Sequence, residues 1–110
     1  MSWLLRFEGK EELVPELGQE LNSSFDQLKV TRTSWDNKIL NWTNAVTEKW
    51  LSEDFAYTSK VDGSTHVRKA WLLVTHMFNH ETHHRGQLTA ALSNMGYDFG
   101  VTDLPFLVDK

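Results

Sequence analysis

FNHETHHRGQ, residues 78–87, holds three of the protein's five histidines, and His76 stands just upstream. Histidine is a mediocre helix former and is seldom needed in bulk. Four within nine residues therefore ask for a reason. Read as helix, the stretch arranges them in an ordered way. With Leu73 as origin and a turn of about 100° per residue, Met77 falls at about +40°, His80 at about −20°, His84 at about +20° and Gln87 at about −40°. Ala91 returns to the origin. Two histidines one turn apart thus occupy the middle of an apolar stripe, with His76 and His83 at its edge.

Residues four apart on a helix are neighbours, so the His80 and His84 imidazoles can meet one metal ion from adjacent turns. His76 could pair with His80 instead, but the stripe centre favours His80 with His84. All three cannot share one ion, because positions eight apart on a helix lie about 12 Å apart. Glu81 points away at about +80°, which separates this pattern from the zinc-protease helix. A single histidine on an apolar face is more often a hydrogen-bonded core residue. For a pair, each ring must satisfy two nitrogens, and one ion can satisfy one nitrogen on each. Spacing alone leaves both readings open, a metal held by His80 and His84 or a polar seam. Gly86, which costs about 1 kcal/mol against alanine in mid-helix, suggests another backbone packed against that turn. Arg85 reads as a solvated surface residue.

Working outward, the pattern predicts a helix over residues 69–95 with Gly96 as its C-terminal cap. Before it, the run from Tyr57 to Val61, then Asp62-Gly63, then Ser64 to Arg68, reads as a hairpin with a type I′ turn. His66 in that ribbon reads as solvent-facing or structural. Earlier still, Ser24 with Gln27 three residues on makes a capping box. Leu28, Trp35 and Trp42 recur every seven residues, with Ile39 and Val46 interleaved and Arg32 breaking the second register. That seam runs on toward Trp50 and predicts a helix over residues 24–48. SWLLRFEG, residues 2–9, reads as a helix end stopped by Gly9. Residues 10–22 carry Pro15 and Gly18 and read as an irregular connection. The segment after Gly96 is apolar but interrupted by Gly100 and Pro105, and is expected to pack as an extended cover.

The chain has 110 residues and reads as a single domain, 1–110, all-α apart from the ribbon. Net charge is −4 and no basic stripe is present, which argues against nucleic acid as a partner. The absence of cysteine excludes disulfides, thiolate metal sites and cysteine nucleophiles. Apolar runs are too short to cross a membrane, and the start lacks a secretory signal pattern. A cytoplasmic location is the expectation.

H-x-x-x-H-R-G-Q, formed here by His80, His84, Arg85, Gly86 and Gln87 and preceded by Asn79, is followed after the helix by VTDL (residues 101–104). This pattern resembles the DinB/YfiT-like family. The string NHETHHRGQLTAALSNMGYDFGVTDLPFL (residues 79–107) looks like the C-terminal signature of the DinB branch, and WLLRF (residues 3–7) resembles the end of that family's second helix. The resemblance implies a four-helix bundle with a divalent metal held by three histidines, two of them in the HxxxH pair, here His80 and His84. It also implies homodimers and, in some relatives, transfer of low-molecular-weight thiols.

Against that pattern, the chain starts where the second helix should be ending. It reads as a truncated domain, lacking the first helix, most of the second and the third histidine. The expected fold is a DinB-like bundle remnant of two long helices and a short hairpin, completed by dimerisation that buries the tryptophan seam and the histidine stripe. Two functions follow. One is a metal-binding protein loaded with zinc or nickel, acting as a hydrolase or thiol S-transferase on an unknown small molecule, with Gln87 and Asn79 as nearby polar groups without an assigned role. The other is a non-catalytic homodimeric helical module whose metal site is incomplete. A third ligand separates the two.

Overall fold

The computed structural model describes residues 1–106. They form four α-helices and one antiparallel hairpin: α1 (Ser2–Phe7), α2 (Phe25–Ala45), α3 (Glu48–Ser52), β1 (Asp54–Thr58), β2 (Thr65–Lys69) and α4 (Ala70–Asn94), with 3-10 turns at Glu11–Leu13 and Leu104–Phe106. The chain divides into two compact units, Met1–Thr75 and His76–Lys110, and the boundary falls inside α4. No helix among the described residues is long and apolar enough to cross a membrane.

The first unit is organised by α1. Six residues cannot hold a helix in water, and this one persists because it is docked: Leu4 is fully buried and Leu5 nearly so. Gly9 ends it in the left-handed region (φ 70°), where the Gly9 and Lys10 amides close back on Arg6 and Leu5. Its aromatic face anchors a cluster. Phe7 stacks on Trp42 of α2 at 5.3 Å, and meets Trp50 of α3 and Phe55 of β1 edge-on, both at 5.5 Å. Trp3 packs edge-on against Tyr57 at 4.9 Å. The connection after α1 is irregular as expected, with Val14 buried in it.

Arg6 is the one buried charged residue among the described residues. Its guanidinium lies 5.1 Å from the Trp3 ring, its Nη2 donates to the Thr58 carbonyl at 3.5 Å, and its Nε faces Glu11 at 3.5 Å without forming a hydrogen bond. Glu11 also accepts the Thr58 amide at 3.0 Å and so ties the 3-10 turn to β1.

The helix expected over residues 24–48 is divided. Ser24 does cap it, accepting the Gln27 amide at 3.3 Å, while the Gln27 side chain reaches back to Ser23 rather than to Ser24. At the other end Val46 is extended, and the Thr47 hydroxyl accepts the Trp50 amide at 3.2 Å. Thr47 therefore caps a new helix, α3, and the seam crosses a break that its period conceals. None of the residues of α2 is buried.

The hairpin also differs from its expected form. Thr58 pairs with Thr65, so residues 59–64 make a six-residue loop rather than a two-residue turn. Asp62 does not adopt positive φ, as a type I′ turn requires, and only Gly63 does (φ 73°). Instead the Asp62 carboxylate accepts the Ser64 amide and hydroxyl, at 3.1 and 2.7 Å. That local bond outcompetes the tighter turn.

In the second unit α4 runs to Asn94. Gly96 (φ 79°) closes it with Tyr97 N–H on the Leu92 carbonyl and Gly96 N–H on that of Ser93, both at 3.0 Å. The segment beyond is not the packed cover the sequence suggested. Tyr97, Phe99, Val101, Leu104 and Phe106 all stay exposed, because the glycine-interrupted backbone offers no regular face to bury. Leu107, the end of the signature string, lies outside the described residues.

Candidate metal centre

All four clustered histidines project from the middle of α4. Its apolar stripe is buried at Leu73 and Met77, then continues exposed from His80 to Gln87. The His80 and His84 rings meet edge-on, with centroids 4.4 Å apart and planes at 89°. Their Nε2 atoms are 3.0 Å apart. His76 stacks on the other side of His80 at 5.4 Å, and His83 packs beside His84 at 5.2 Å. Both flank the pair, as their wheel positions require.

Two imidazole nitrogens bound tetrahedrally to one zinc ion at about 2.0–2.1 Å lie about 3.3 Å from each other. The observed pair stands within a few tenths of an ångström of that separation, so His80 and His84 fit a shared ion. Among the described residues no group of three or more His, Cys, Asp or Glu is gathered to hold a metal. What α4 presents is thus a pair of adjoining imidazoles.

The electrostatics favour a neutral ring at His80. His80 is less basic than an ordinary histidine, first because neighbouring side chains displace water from its ring and then because His84, His76 and His83 would repel a positive charge there; Glu81 opposes this weakly. A neutral imidazole is the form that ligates.

Gln87 touches the pair directly. Its Oε1 lies 2.8 Å from His84 Nδ1. The sequence placed Gln87 near the stripe centre but gave it no role. The available signal was its position one turn after His84, on the same face. Asn79 is exposed and makes no hydrogen bond to the pair. Arg85 stays on the surface, donating to Thr82 Oγ1 at 3.4 Å. Gly86 does not receive another backbone: a Cβ there would meet nothing within 4 Å. The close-packing expectation is not met: the space a side chain would enter at that position is open.

His66 belongs to a separate arrangement in the hairpin loop. The Ser64 hydroxyl donates to ionised Asp62 and stands 2.7 Å from His66 Nε2. With its proton on Asp62, Ser64 can only accept from the ring. This order, Asp–Ser–His, leaves the serine unactivated, since a nucleophilic serine must hand its proton to the histidine. His66 is structural, packed across the hairpin against Tyr57 at 5.5 Å.

No curated protein and no solved structure matches the chain. The sequence model of the DinB family matches residues 1–110, the whole length of the chain. With that match beside the histidine pair on α4, the chain belongs to the DinB family.

Proposed function

We propose that this DinB-family chain binds a divalent metal ion, zinc or nickel, through His80 and His84, and does so as a homodimer. The observation that carries the reading is the convergence of the two Nε2 atoms at 3.0 Å on an exposed face. Imidazole donors suit zinc and nickel alike. The remaining positions on the ion are taken by solvent or by a group of the second copy. When bound, such an ion lowers the pKa of a coordinated water or thiol, the chemistry of a hydrolase or a thiol S-transferase. The part played by the chain is to hold two imidazoles one helical turn apart and to keep them open to a small-molecule substrate.

The alternative is a non-catalytic homodimeric helical module in which the histidines form only a polar seam. It is favoured by the lack, among the described residues, of a third donor gathered with the pair. Metal content of the purified untagged chain, read by inductively coupled plasma mass spectrometry, separates the two. The metal reading expects about one ion per chain or per two chains, lost in His80→Ala/His84→Ala. No bound metal after incubation with zinc or nickel would overturn it and leave the helical module.

A further inference from the structure

We infer that Gln87 is a positioning residue that fixes the tautomer of His84, leaving its Nε2 bare and ready to ligate. The inference rests on the metal reading for its purpose, but not for its geometry. His84 is held at both ring nitrogens: Nδ1 at 2.8 Å from Gln87 Oε1, and Nε2 at 3.0 Å from His80 Nε2. A carboxamide oxygen can only accept, so the His84 proton sits on Nδ1. A neutral imidazole has one N–H, and His84 Nε2 therefore carries a lone pair and no proton. The contact between the two rings then requires His80 to donate from its own Nε2.

The two histidines are thus in opposite tautomers. His84 can accept an ion at Nε2 with no proton movement. His80 must first shift its proton from Nε2 to Nδ1 or release it. An unconstrained neutral histidine favours the Nε2–H form, which would place a proton where the ion has to bind. Gln87, three residues on and on the same face, removes that obstacle for one of the two ligands. Hydrogen bonds made to the far nitrogen of a ligating imidazole set both its tautomer and its donor strength, and losing one typically costs about 10–100-fold in metal affinity. Because the contact lies on an exposed face, the lower end of that range applies.

The test reads the tautomer in metal-free protein, using long-range proton–nitrogen NMR correlations on ¹⁵N-labelled chain at a pH where the rings are neutral. His84 is expected as Nδ1–H in the wild type, to shift toward Nε2–H in Gln87→Ala, and to return to Nδ1–H in Gln87→Glu, whose carboxylate also accepts. Zinc titrated into the same three proteins should bind about ten-fold more weakly to Gln87→Ala and recover in Gln87→Glu. A residue with a merely structural role would lower the melting temperature and leave the tautomer alone. His84 found as Nε2–H in the wild type, or a tautomer indifferent to Gln87→Ala, overturns the inference. The expected tautomers in a wild-type chain that takes up no zinc would sink the metal reading while leaving the role of Gln87 intact.

Discussion

Asp62 shows how much one side chain can decide. Hydrogen bonds from the Ser64 hydroxyl and amide, and then from Ser59, hold its carboxyl at about 2, below the ordinary carboxylate range. A depressed carboxylate stabilises the folded loop at pH values above its unfolded pKa of about 3.9. That contribution fades as pH falls from about 4 through about 2. Carboxyl NMR titration should therefore place the Asp62 midpoint at about 2 and move it upward in Ser64→Ala. A midpoint near 4 in the intact chain would mean that the loop bonds do not form in solution. The sequence marked Asp62-Gly63 as a turn correctly but misjudged its kind, because periodicity and propensity say nothing about an acceptor that captures two donors from one neighbour. The same limit applied at Gln87. Spacing put it on the right face, but only the rotamers show which ring atom it touches.

Elements with a strong terminal signal were legible. The histidine helix was expected over 69–95 and is found at Ala70–Asn94, ended by Gly96 in the cap geometry its position suggested. The i, i+4 spacing of His80 and His84 translated directly into ring contact. The break between α2 and α3 was not legible, since Trp42, Val46 and Trp50 keep the seam in phase across it. The capping threonine at 47 was the only clue. Gly86 is the residue through which α4 can be tested. A Cβ there meets open space and the backbone is helical, so the glycine is held at a cost of about 1 kcal/mol against alanine. Gly86→Ala should stabilise the protein by about that amount in urea denaturation. A loss instead would show that another backbone seats on this turn in solution.

Large apolar side chains lie open on both long helices: Leu28, Val30 and Leu40 on α2 and Leu88 on α4 are all about half exposed or more. The proposed dimer would cover apolar surface of this kind with a second copy of the chain. Light scattering at micromolar concentration should give the dimer mass, and the melting temperature should rise with protein concentration. A monomer mass with a concentration-independent melt would remove the dimer from the proposed function.

The division at His76 also governs how the molecule can be watched. All five tryptophans, at positions 3, 35, 42, 50 and 71, lie in the first unit, and all four clustered histidines lie in the second. Indole emission is therefore weighted toward the first unit, where Trp3, Trp42 and Trp50 gather around Phe7, and no indole lies among the histidines. Far-UV circular dichroism, dominated by helix, sees both. If the two units open separately, the two signals will give different midpoints for one sample, and a single unfolding free energy will have no meaning for this chain. If the signals coincide, α4 couples the two units into one cooperative transition, and an ion captured at His80 and His84 would then stabilise residues as distant in sequence as Trp3.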